Sequence, residues 1–193
     1  MAKKIKDGEK KAASETPSKT KNRLIAIGII AAIVAGAAYF LVKSDSTVDN
    51  TFAAIDGIPC ETREYGVFHI HAHLDVFVNG QPLTVPQFIG IMTGGPQSQQ
   101  VSCLYWLHTH DDSGVIHIEA PEEKNFTLGQ FLDIWRATST GAPPSGEPTI
   151  FVNGQEVSTS LSSTELNAHD EITIVYGQTP PNIRSFYQFA EGL

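Results

Sequence analysis

Sulfur and positive charge are scarce in this chain. It has two cysteines and two methionines in 193 residues, and Met92 is the only methionine after Met1. Copper(I) sites built from methionine clusters are thereby excluded, and so is a dense disulfide scaffold. Lysine and arginine are unevenly distributed. Eight precede Leu24 against three acidic residues, whereas from Lys43 onward five face eighteen. An acidic globular part argues against nucleic-acid binding, which requires cationic neutralisation of phosphates, and favours attraction of metal cations. No glycine-rich phosphate loop, cofactor fingerprint or nucleophile motif stands out. A hydrophobic content of 41% with 18% charged residues still allows one ordinary domain with a core.

The junction between the two charge regimes is an uncharged apolar run, residues 24–42 (LIAIGIIAAIVAGAAYFLV). As a helix it spans about 28 Å, close to the hydrocarbon thickness of a bilayer. Lys19, Lys21 and Arg23 precede it, so the positive-inside rule places the amino terminus in the cytoplasm and the remainder outside. A cleaved signal peptide, with Ala35-Gly36-Ala37 as the small-residue site, is the competing reading. The long basic leader and the full-length run favour a retained anchor. No cysteine directly follows the run to take a lipid. The expected organisation is a disordered basic cytoplasmic tail (1–23), a transmembrane anchor (24–42), a polar stalk (43–51), an extracytoplasmic histidine-rich domain (52–179) and an aromatic C-terminal tail (180–193). In this location a disulfide is the default for Cys60 and Cys103, with two thiolate ligands as the alternative. Each cysteine precedes a histidine burst, so a bridge would hold the bursts side by side.

Residues 68–78 alternate as a strand and end at Asn79-Gly80, a strong hairpin signal, with 81–85 as the return strand. Residues 90–100 read as a loop, and 101–107 and 115–119 as further strands. Thr127 opens a helix as N-cap with Gln130 in a capping box, and Leu128, Phe131, Leu132 and Trp135 form its apolar face. Thr127 also completes the sequon Asn125-Phe126-Thr127. Residues 149–152 and 172–176 are the closing strands, the first ending at Asn153-Gly154, and Asp170-Glu171 reads as a turn. Strands, one helix, then strands again make an α+β domain with a mixed sheet. Its C-terminal half (IFVNGQEV, then HDEITIVYG) resembles the closing strands of β-grasp, ubiquitin-like domains, which implies topology only.

Six of the seven histidines fall in two bursts, His69-Ile70-His71-Ala72-His73 and His108-Thr109-His110 with His117 following. Histidine is the commonest protein metal ligand, and alternate strand residues face one way. His69 and His73 stand about 13 Å apart on such a strand, too far to share one ion through bonds of about 2.0 Å. The expected site therefore draws two ligands from the first burst and one or two from the second: His71, His73, His108 and His110, with His69 and His117 as further candidates. It could hold one ion or, with carboxylates, two. Zinc and copper are the metals expected of such ligands. Glu119 is the candidate general base, with Asp111 behind it. Asp111 and Asp112 shape a turn, Asp75 faces solvent, and each could accept from an imidazole N–H. His169 reads as surface, and Tyr105 and Trp106 as core.

The run Cys103 through Asp111, Gly114 through Glu119 and Phe126 through Phe131, together with the first histidine burst, resembles a family of mostly uncharacterised membrane-anchored prokaryotic proteins. The likeness covers residues 68–176 and implies a membrane-anchored setting without a transferable activity. Three functions are then in play. The first is an extracytoplasmic metal-binding protein handling copper or zinc. The second is a metal-dependent hydrolase or oxidoreductase, and the third a structural or partner-binding subunit of a membrane complex.

Overall fold

The computed structural model describes residues 52–95, 98 and 100–193. The basic tail, the apolar run and the stalk lie outside the described residues. No helix among the described residues is long and apolar enough to cross a membrane.

The domain is α+β, with one α-helix and two sheets among the described residues. Its strands are β1 (Cys60–Glu61), β2 (Phe68–Val78), β3 (Gln81–Leu83), β4 (Ile91–Thr93), β5 (Val101–Tyr105), β6 (Leu107–His108), β7 (Val115–Ala120), β8 (Thr149–Val152), β9 (Gln155–Val157) and β10 (Glu171–Tyr176). The helix, α1, spans Leu128–Thr138. The larger sheet runs β6-β7-β2-β10-β8-β9, with β3 paired to β2, and the smaller runs β1-β5-β4.

Both Asn-Gly turns form hairpins, β2–β3 and β8–β9, with positive φ at Asn79, Gly80, Asn153 and Gly154. That is the backbone a two-residue primed turn requires. The long strand β2 organises the sheet: residues 68–73 pair antiparallel with β7, and residues 73–78 pair parallel with β10. Alternation then separates two faces. Ala72, Leu74, Ile116, Ile118, Leu107, Ile172 and Ile174 are buried in one apolar cluster with Phe131, Leu132 and Trp135 of α1. Truncating Phe131 or Trp135 to alanine should cost about 3–5 kcal/mol. The helix begins with the expected capping box: Gln130 N–H donates to Thr127 Oγ1 at 3.3 Å, and Thr127 N–H donates to Gln130 Oε1 at 3.0 Å.

Several elements differ from the sequence reading. The run 101–107 is broken at Trp106, where the chain passes from the smaller sheet into the larger. The Trp106 indole N–H donates to Glu61 at 2.9 Å across that break. The expected loop 90–100 contains β4, which pairs with β5, and the return strand stops at Leu83. Glu171 is the first residue of β10 and not part of a turn, because its backbone pairs with His73.

Cys60 and Cys103 form a disulfide, Cα to Cα 5.4 Å. It joins β1 to β5 inside the smaller sheet, so it does not hold the histidine bursts together. Hydrogen-bonded strand pairing does that.

Candidate metal centre

Strand register builds the cluster. His71 of β2, His117 of β7 and His108 of β6 stand directly opposite one another across three adjacent strands, and His69 stands opposite Glu119. Residues opposite one another share a face, so these side chains meet on the face away from α1. His110 follows β6 and turns back so that its ring lies 4.4 Å from that of His117.

The nitrogens converge. His69 Nε2 is 3.0 Å from His71 Nε2, His71 Nε2 is 3.1 Å from His117 Nδ1, and His108 Nε2 is 3.2 Å from His110 Nε2. Glu119 Oε1 lies 3.1 Å from His69 Nε2 and 3.7 Å from His117 Nδ1. Donors bound to one tetrahedral ion at about 2.0–2.1 Å are about 3.3 Å apart, so these spacings suit a shared cation. His108 is oriented for that role. Its Nδ1–H donates to the Tyr105 carbonyl at 2.9 Å, which leaves the Nε2 lone pair facing the cluster, a common arrangement for ligating histidine. Two donor groups result: His108, His110, His117 and Glu119 in one, His69, His71 and His117 in the other. His117 belongs to both.

Burial grades across the cluster. His108 and Glu119 are 1% and 3% exposed, whereas the side chains of His69 and His110 are about two-fifths exposed, at 40% and 42%. The centre therefore has a closed floor and one side open to solvent. Burial pushes the His108 imidazole down to about 4. Burial, together with neighbouring His117 and His69, does the same to His71. Burial and His117 also lower His110. Burial alone would raise the Glu119 carboxyl, but the hydrogen bond from His117 and the nearby His108 and His69 hold it below its ordinary value. At neutral pH the buried rings are thus uncharged and available as ligands.

His73 is not in this group. It is on the same strand and face as His69 and His71, but its Nε2 meets the Ser113 carbonyl at 2.9 Å and its Nδ1 lies 2.8 Å from Glu171 Oε2. The next two strand positions carry it about 6.6 Å beyond His71. Asp111 is exposed, and it accepts the Ser113 N–H at 2.9 Å. The Ser113 side chain, and then this backbone hydrogen bond, hold its carboxyl low. Asp112 is exposed in the same turn. Asp75 is half-buried and pairs with Arg184 at 3.4 Å. His169 is exposed, its Nε2 3.2 Å from the Leu193 carbonyl oxygen. Tyr105 is in the core, while Trp106 is only partly buried.

Glu64, which sequence reasoning did not single out, stands 3.6 Å from His110 Nε2 at the open side. It follows β1, so the disulfide fixes the base of the loop that carries it. No sequence pattern near Glu64 suggests that role. Glu171 escapes the sequence reading because Asp170-Glu171 has the composition of a turn. The alternation Glu171-x-Thr173 opposite His73-x-Asp75 would have marked it.

Comparison of the chain with protein-family models, curated proteins and solved structures finds no match in any of the three.

Proposed function

We propose that this protein is a membrane-anchored, extracytoplasmic metal-binding protein whose cluster of His69, His71, His108, His110, His117 and Glu119 takes zinc or copper(II). The observation that carries the reading is the convergence of imidazole nitrogens carried by three adjacent strands, with His69–His71, His71–His117 and His108–His110 each 3.0–3.2 Å apart and each donor group held within 4.8 Å. Neutral lone pairs at that distance repel unless a proton or a cation lies between them. The donor set is all nitrogen and oxygen, which suits zinc and copper(II) and disfavours copper(I). The chemistry such an ion supplies when bound is Lewis acidity and, for copper, one-electron exchange. The residues' part is to orient and enclose it.

Location on the outer face of a membrane rests on the 24–42 run and the charge asymmetry flanking it. Capture, delivery or sensing of metal all fit a site with one open side. That open side, flanked by His69 and His110, also supports metal-dependent catalysis as the second reading, since a catalytic ion needs an unfilled position. Placement of β10 between the two hairpins, parallel to β2, supports a β-grasp reading of the core.

The test is metal analysis and titration of the full chain in mild detergent. Stoichiometric zinc or copper(II) with a dissociation constant below about 1 μM is expected. A chain that binds neither at that level refutes the proposal. A coordination sphere closed by protein ligands would dismiss the catalytic reading alone.

A further inference from the structure

Below the histidine cluster on the same sheet face, β2 and β10 present a second block of polar side chains. Parallel register sets His73 opposite Glu171 and Asp75 opposite Thr173. His73, Glu171 and Thr173 are each no more than 2% exposed. Among the described residues, five buried side-chain polar atoms lack a hydrogen-bond partner, and four are here: His73 Nδ1, Glu171 Oε1 and Oε2, and Thr173 Oγ1. His73 Nδ1 and Glu171 Oε2 approach to 2.8 Å without the alignment of a hydrogen bond. Buried polar atoms are nearly always partnered, so four orphans in one block mark a place built for something else. The His73 Nε2 contact with the Ser113 carbonyl at 2.9 Å makes Nε2 the protonated nitrogen and turns the Nδ1 lone pair toward the carboxylates. Ligand atoms of His73, Asp75 and Glu171 lie within 4.8 Å of one another.

We propose that His73, Asp75, Glu171 and Thr173 form a second cation site, separate from the histidine cluster, for a divalent ion that prefers oxygen donors, of the manganese(II) class. One imidazole, two carboxylates and a hydroxyl are a harder donor set than the five imidazoles and one carboxylate above it. The two centres are thereby sorted by ligand chemistry. The C-terminal segment covers the second. Tyr187 stacks on His73 with centroids 3.8 Å apart, and Arg184 reaches Asp75 at 3.4 Å. The guanidinium supplies the positive charge that the ion would otherwise bring to Asp75, so ion and Arg184 compete for that carboxylate.

The proposal does not depend on metal binding by the upper cluster. Its test is titration of the full chain in detergent with manganese(II), followed by loss of the free-ion electron paramagnetic resonance signal. The probe suits the purpose because manganese is the weakest competitor for imidazole sites in the divalent series. One ion per chain is expected, bound equally in wild type and in His117→Asn. Affinity should fall about tenfold or more in Glu171→Gln and in Asp75→Asn. It should rise by about twofold or more in Arg184→Ala, which removes the competitor. Asp75→Asn keeps the test valid if Glu171→Gln fails to fold, since Asp75 is half-buried and at the edge of the block. No manganese bound by wild type at about 1 mM overturns the proposal. So does binding indifferent to Asp75→Asn, and so does binding abolished by His117→Asn, which would assign the ion to the upper cluster.

Discussion

Acidifying the metal-free protein should destabilise it through His108, by an amount the structure bounds. The His108 ring is 1% exposed and burial holds it at about 4 against an ordinary 6.5. Between those values the unfolded chain binds the proton and the folded chain does not. Stability therefore falls as pH drops through 6.5 and levels off, for this group, near 4. The interval corresponds to at most about 3.4 kcal/mol at 1.36 kcal/mol per pH unit. His71, held down by burial and by neighbouring His117 and His69, adds a loss in the same direction. The comparison that isolates His108 is His108→Asn, whose amide can still donate to the Tyr105 carbonyl. Both tryptophans lie in the domain, so urea unfolding followed by their fluorescence, in chelator and detergent from pH 7 to pH 4, reports on it. Wild type should lose about 2–3 kcal/mol more than the variant over that range. Equal losses would mean that the His108 ring is already protonated or not enclosed, and would undo the account of it as a neutral, ready ligand.

Other outcomes follow from the same geometry. His117→Ala removes the donor common to both groups and should weaken zinc binding by about 100-fold or more, whereas His73→Asn should change it by less than about threefold, both read by competition with a chromophoric chelator. The double substitution Cys60→Ser, Cys103→Ser opens a loop 43 residues in separation and should cost about 4 kcal/mol in chemical denaturation. Zinc affinity should nonetheless stay within about tenfold, because register and not the disulfide aligns the rings. Gly114→Ala should cost about 2 kcal/mol or more in thermal unfolding. Its φ is +88°, and an added Cβ would meet the Leu74 carbonyl oxygen at 2.6 Å and His73 Nε2 at 3.0 Å.

Local chemistry made much of the fold legible. Asn-Gly pairs, the Thr127–Gln130 box and period-two alternation mark turns, the helix start and most strands without reference to anything distant. Long-range pairing is not written locally. Nothing in residues 68–78 says that His71 will stand opposite His117 while His73, where the two registers meet, stands opposite Val115 and Glu171, yet that register sets His73 apart from His69 and His71. The histidine alternation could exclude a single ion for all three of the first burst. It could not say which two would stay together, since that depends on which residues of β7 stand opposite them. The disulfide was legible as a bond but not as a position, because proximity of each cysteine to a burst in sequence does not make their strands neighbours.

Strand β6 is two residues long and lies at the edge of the larger sheet. It meets β7 over two residue pairs only, although Leu107 and His108 are themselves buried. It also carries His108, so an ion shared with His117 would rivet that edge to the strand behind it. Amide hydrogen exchange at Leu107 and His108 would then slow on metal loading far more than exchange in β8 or β9 at the opposite edge. Occupancy would be reported as the closing of a sheet margin, with no hinge, lid or domain rotation required.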